Sequence, residues 1–222
     1  MKICIFSDIH GNGPAFDVAY DRILSEKADL NVFLGDLCGY YYDQLDILCM
    51  LRMMPNFIAV LGNHDRIFLD IVMGDNVLRN RYCQEYGISM ENLLELDYSD
   101  LTTWLGSLQE YHRDSDGKFS CFHGSPQSYL EGYVYPDSKI NFHPESHGKC
   151  MFLGNTHYKM HKSINGTLIV NPGSLGQPRD GKWPSYAVVE FPSCKVQFKE
   201  IVYDKADLKR KIREAGEENK FS

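Results

Sequence analysis

The stretch Ala59-Val60-Leu61-Gly62-Asn63-His64-Asp65 stops an apolar run at a glycine and follows it with three side chains that handle protons or cations. Asn56 to Leu61 is too short for a helix and rich in apolar and β-branched residues, so it reads as a buried parallel strand. In open α/β sheets, ligands bind outside the carboxyl ends of such strands. Gly62 lets the chain turn there, Asn63 offers an amide oxygen to a cation, and His64 offers a nitrogen that titrates near neutral pH. A turn whose Asn and Asp cap the next helix has the same composition. The decision therefore rests on what the other strands deliver.

Lys2 to Phe6 is another apolar run, ending in Ser7-Asp8-Ile9-His10-Gly11-Asn12 before the helically spaced Ala15, Phe16, Ala19, Ile23 and Leu24. Asp8 and His10, two apart on extended chain, point the same way. Leu30 to Leu34 ends in Gly35-Asp36, ahead of a helix from about Asp43 to Met54. Lys118 to Phe122, which follows the strand-like Gln109 to Arg113 and a turn, ends in His123-Gly124-Ser125. Lys149 to Leu153 ends in Gly154-Asn155-Thr156-His157. Capping alone does not explain this succession of strands with polar metal-ligating tips.

Between these, Arg66 to about Leu108 reads as mostly helical and carries no site signal, with Trp104 assigned to the core. Residues 126–148 hold tyrosines, prolines and histidines without periodicity, and read as an aromatic surface loop covering a site. Met160 to Ile164 and Thr167 to Val170 form a hairpin around Asn165-Gly166, closed by Asn171-Pro172-Gly173-Ser174. Tyr186 to Phe191 and Lys195 to Tyr203 read as another antiparallel pair, and Lys205 to Ala215 as a terminal helix.

With 222 residues and no repeat or linker, one domain spanning 1–222 is expected. No run approaches the roughly eighteen apolar residues of a membrane span, and the first ten residues form a strand rather than an export signal, so the cytoplasm is the expected compartment. A net charge of -7 argues against nucleic acid as a partner, since binding phosphate backbones needs a basic surface. It is compatible with a small phosphorylated substrate held by a local cation. The seven cysteines form no Cys-x-x-Cys pair, and Cys4, Cys121 and Cys194 lie in strand-like patterns as small hydrophobes, so they read as reduced and structural.

The strand tips collect Asp8, His10, Asp36, Asn63, His64, His123, Asn155 and His157, all oxygen or nitrogen donors. That chemistry suits manganese first, with iron, zinc or magnesium as alternatives. Eight donors exceed the needs of one ion. Asp36 has two oxygens with which to bridge, so two ions about 3.5–4 Å apart are the economical reading.

Asp8-Ile9-His10, Gly35-Asp36, Gly62-Asn63-His64-Asp65, His123 and Gly154-Asn155-Thr156-His157 resemble, in order and strand-end context, the five motifs of the calcineurin-like metallophosphoesterases. Asp8 to Asn12 and Asn171 to Arg179 are most similar to its small bacterial and archaeal phosphodiesterase branch. The resemblance implies a four-layer α/β/β/α sandwich of two mixed β-sheets flanked by helices. It implies Asp8, His10, Asp36 and His157 around one ion and Asp36, Asn63 and His123 around the other, with Asn155 completing the second shell. A bridging hydroxide is then the nucleophile and His64 the acid for the leaving oxygen. The implied substrates are small phosphodiesters, nucleotides among them, and a homo-oligomer is in keeping with the branch. A phosphomonoesterase on the same site, or a metal-binding scaffold resembling the retromer subunit of this fold, is the alternative.

Two departures from the pattern matter. Asn155 stands where the family usually has histidine, and an amide is a weaker donor, so the second ion is expected to be looser, with manganese or magnesium favoured over zinc. Gly39 and Tyr40 stand where phosphoprotein phosphatases carry the aspartate that orients the catalytic histidine and a phosphate-gripping arginine. A protein phosphatase is therefore not expected. Asn12, Arg66, Arg179 and Tyr40 are the remaining candidates for substrate contact, and Tyr40, Tyr41 and Tyr42 with the 126–148 loop for stacking on a base or aryl group.

Overall fold

Two five-stranded mixed sheets stack face to face in the computed structural model of the chain, which describes residues 1–181 and 183–218. The first runs β10 (Lys195–Glu200), β9 (Ser185–Glu190), β1 (Lys2–Phe6), β2 (Leu30–Phe33), β3 (Phe57–Ala59). The second runs β4 (Tyr111–Arg113), β5 (Phe119–Phe122), β6 (Cys150–Leu153), β8 (Thr167–Pro172), β7 (Lys159–Ile164). In each sheet three strands are parallel, β1-β2-β3 and β5-β6-β8, and antiparallel strands complete the edges. This is the expected sandwich.

The apolar runs are continuous because the strands are covered on both faces. Ile3 and Ile5 point between the sheets, where they join Val32, Leu34 and Val60 against Phe119, Cys121, Phe152 and Val170. Their neighbours Cys4 and Phe6 point the other way, under the helices. Phe16 of α1 (Gly13–Ser25), Ile47 of α2 (Gln44–Arg52), Phe68 of α3 (Asn63–Val72) and Tyr82 of α4 (Asn76–Tyr86) fill that outer cluster. Met90 of α5 (Ser89–Leu94) and Leu101 of α6 (Ser99–Ser107) extend it. Leu208 and Ile212 of α7 (Ala206–Glu214) pack with Ala15, Tyr40 and Tyr41.

The outer face of the second sheet is covered differently. Phe122, Met151, Leu153 and Ile169 pack against Val134, Ile140 and Phe142 of the irregular 126–148 segment, which ends in a single 3-10 turn at Pro144–His147. That segment is a packed layer of the sandwich as well as a loop. Cys194 lies in the turn between β9 and β10 at φ 55, not within a strand, and its sulfur is 3.7 Å from that of Cys150. Among the described residues no helix is long and apolar enough to cross a membrane.

Candidate metal centre

The parallel strands of both sheets bring their carboxyl ends to one place. β1 delivers Asp8 and His10, β2 delivers Asp36, β3 delivers Asn63 and His64 at the first turn of α3, β5 delivers His123, and β6 delivers Asn155 and His157. Asp8, His10, Asp36, Asn155 and His157 all have φ between 51 and 65, a left-handed conformation that costs a non-glycine residue roughly 1–3 kcal/mol. Backbone contacts hold it. The N–H of Asp8 donates to Gly35 O and that of His10 to Asp36 O, both at 3.0 Å. Ser174 Oγ and Gly176 N donate to Asp8 O, each at 2.8 Å, so the Asn171 to Arg179 stretch serves as a brace for the first tip.

Three histidines share one device. Nδ1 of His10 lies 2.8 Å from Cys38 O, that of His123 2.7 Å from Leu34 O, and that of His157 2.6 Å from Gln177 O. A carbonyl can only accept, so each Nδ1 carries the proton and each neutral ring turns a bare Nε2 inward. Those nitrogens meet other acceptors. His10 Nε2 and His157 Nε2 are 3.0 Å apart, with Asp8 Oδ1 at 3.8 and 3.3 Å. His123 Nε2 is 2.9 Å from Asn63 Oδ1 and 3.3 Å from Asp36 Oδ2, which is itself 3.7 Å from His10 Nε2. Both oxygens of Asp8 are buried without a hydrogen-bond donor among the described residues. Lone pairs converging at this spacing require positive charge among them, which a divalent ion supplies.

Without an ion, protons take that role. Burial pushes His123 down, but Asp36 and Asp8 outweigh it and raise its pKa to about 9. Burial, reinforced by His157 and His64, holds His10 well below the usual histidine range. Burial pushes the Asp36 and Asp8 carboxyls up, but the surrounding histidine charges prevail and hold both low. Asn155 donates its amide nitrogen to Leu130 O at 3.3 Å and Gly132 O at 3.4 Å.

His64 stands beside this cluster. Its backbone N–H donates to Asp36 Oδ1 at 2.9 Å, its ring meets that of His10 edge-on at 4.9 Å, and its Nδ1 is 2.7 Å from the Tyr82 hydroxyl. Burial lowers its pKa. Asp65 accepts from the backbone N–H groups of Asp36, Cys38 and Gly62 at 2.8, 2.9 and 3.1 Å. Burial and the Asp36 charge raise its pKa to about 6. Of the opening stretch, Asp65 caps α3 and latches the β2 tip, while Asn63 and His64 lie against His123 and His10.

A family model described as the calcineurin-like phosphoesterase superfamily domain matches residues 1–193. The chain belongs to this superfamily. An uncharacterized protein of Methanocaldococcus jannaschii is 28% identical over 229 residues, covering 91% of this chain and 88% of that one. The crystal structure of a metallophosphoesterase from Sphaerobacter thermophilus is similar at 26% identity and TM-score 0.75, covering 97% of this chain and 95% of that one. A structure described as a novel archaeal phosphodiesterase shares the fold at 19% identity and TM-score 0.55, covering 90% of this chain and all of that one.

Within the superfamily's frame, the other predicted contacts are placed unequally. Tyr40 meets His10 edge-on at 4.7 Å, and its hydroxyl accepts from Arg179 Nη2 at 3.2 Å. Arg66 pairs with Glu110 at 3.1 Å and, with Asn63, Ile67, Tyr82, Tyr86 and Tyr133, lines a cavity of about 360 Å³. Asn12 is not brought there: it is fully buried, caps α1 through Ala15 N at 3.2 Å, and donates to Gly176 O and the Tyr203 hydroxyl. Gly39 can carry no carboxylate, because a Cβ there would collide with the His10 ring.

The stretch read as free of site signal is corrected by Tyr82, which comes from α4 to His64. Leu78, Tyr82 and Tyr86 repeat every fourth residue and line the cavity together. That stripe was the available signal, and it is indistinguishable by spacing from ordinary core.

Proposed function

We propose that the chain is a cytoplasmic, divalent-metal-dependent phosphoesterase that hydrolyses small phosphodiesters, nucleotides among them, at two ion positions sharing Asp36. The observation that carries this reading is the pair of converging acceptor groups joined by Asp36 Oδ2, 3.7 Å from His10 Nε2 on one side and 3.3 Å from His123 Nε2 on the other. Asp8, His10 and His157 would hold one ion, and Asn63, His123 and Asn155 the other. Oxygen and imidazole donors that include two amides suit manganese. Divalent ions bound there would supply charge neutralisation at the phosphoryl oxygens and activation of a water as nucleophile.

The chain's own groups do the rest. As the ester P–O bond breaks, its electron pair passes to the leaving oxygen, which takes a proton from His64. Arg179, steadied by Tyr40, and Arg66 bind phosphoryl oxygens. Asn12 acts at a distance, by holding Gly176 in the segment whose Gln177 carbonyl orients His157. The cavity beside Asn63 gives a second ester group somewhere to lie, which favours a diester over a monoester.

The test is turnover of an aryl phosphodiester and the matching monoester by metal-stripped protein refilled with manganese. Manganese-dependent turnover, faster on the diester and reduced about 10²- to 10⁴-fold in His64→Ala with ion content intact, is the expected result. Tight ion binding without turnover of either ester would overturn the reading in favour of a scaffold.

A further inference from the structure

Three of the four histidines at the centre have Nδ1 against a backbone carbonyl, and the fourth does not. His64 Nδ1 lies 2.7 Å from the hydroxyl of Tyr82, a fully packed residue of α4. The difference is chemical. A carbonyl forces the proton onto Nδ1 and leaves Nε2 bare, which makes a ligand; a hydroxyl can donate to Nδ1 and leave the proton on Nε2, which makes a donor. The ring is also held in place from both sides, edge-on to His10 at 4.9 Å and to Tyr86 at 4.9 Å. The glycine at position 39 leaves no room for a carboxylate near these rings.

We propose that Tyr82 is the positioning residue of His64, its hydroxyl fixing the ring's orientation and keeping a proton on Nε2. The inference rests on His64 being the proton donor of the proposed reaction. The phenol serves both protonation states. It donates to Nδ1 of the neutral ring, and its oxygen accepts from Nδ1–H when the ring carries two protons. In the second state the Nε2 proton passes to the leaving oxygen along with the P–O electron pair, and the ring keeps its Nδ1 proton against Tyr82. No charge is added, because the phenol stays neutral throughout. A carboxylate in the same place would add one.

Nitrogen-15 NMR of the metal-free protein tests this without turnover. The expected spectrum at pH 7.5 shows His64 with an acceptor-type Nδ1 and a protonated Nε2, and Tyr82→Phe shows a mixture of tautomers. An Nδ1-protonated His64 in the wild type, or an unchanged tautomer in the variant, would overturn the proposal. With manganese, Tyr82→Phe is expected to lower kcat about 10- to 100-fold on a diester with a poor alkyl leaving group and less than about threefold on a nitrophenyl diester, at unchanged KM. Equal losses on both substrates would also overturn it. A fixed tautomer that disappears in Tyr82→Phe, in a protein with no turnover, would leave the positioning role standing and remove the phosphoesterase reading.

Discussion

The two ends of the candidate centre are lined by unlike donor groups. Around Asp8 stand one carboxylate and two imidazoles, each imidazole fixed by a carbonyl. Beside His123 stands the amide of Asn63, and Asn155 is tied to the carbonyls of Leu130 and Gly132 in the segment that covers the second sheet. An amide oxygen donates less strongly to a divalent ion than imidazole does. On the proposed two-ion reading, the Asp8 end would hold its ion more firmly than the softer His123 end, where Asn155 is tied to a loop.

The largest effect that would break this comparison is Asp36→Asn. Losing the shared carboxylate is expected to empty the softer end, weaken the firmer one, and lower activity at least about 10³-fold, several kcal/mol of transition-state stabilisation. Metal analysis after gel filtration reads it, and a variant that retains both ions would show that the ends do not share a ligand.

Next comes Asn155→His. It should tighten the second ion on the order of tenfold, ~1.4 kcal/mol, and shift preference toward zinc, with the first ion unchanged. Titration calorimetry with unchanged affinity and stoichiometry for both ions would remove the asymmetry.

A pH series sharpens the contrast further. His123 is raised to about 9 and must lose its proton to bind an ion, whereas His10 is held neutral by burial. Affinity at the softer end should fall by up to tenfold per unit as pH drops below about 9, with about one proton released per ion, and the firmer end should change less. In the metal-free protein the sign is opposite. The stabilisation from protonated His123 is complete below its unfolded value of about 6.5 and is lost as pH rises through about 9, at most about 3 kcal/mol by denaturant melts.

The smallest effect is Tyr40→Phe. It removes the hydroxyl that steadies Arg179, and KM is expected to rise about two- to tenfold at nearly constant kcat, the scale of one hydrogen bond. A kcat loss without a KM change would assign Tyr40 to chemistry instead.

Much of this molecule is legible before folding. Strands buried on both faces must be apolar throughout, so β1, β2, β5 and β6 announce themselves as short runs, and the polar residue types at their tips announce candidate ligands. The 126–148 segment was harder to read, because its Val134, Ile140 and Phe142 cover a sheet without any helical or strand period. Tyr82 was invisible for the converse reason. A tyrosine at helical spacing looks like core, and it is core on every side except its hydroxyl.

By itself, then, the sequence determined the short buried strands, the order of their tips and the donor elements, because periodicity and turn chemistry act over a few residues, while the sandwich followed from the family resemblance of those tips. Only the tertiary structure decided what faces the Nδ1 of each histidine. The partner of Nδ1 lies 28 residues away for His10, 89 for His123 and 18 for His64, and whether it is a carbonyl or a hydroxyl sets where the ring carries its proton.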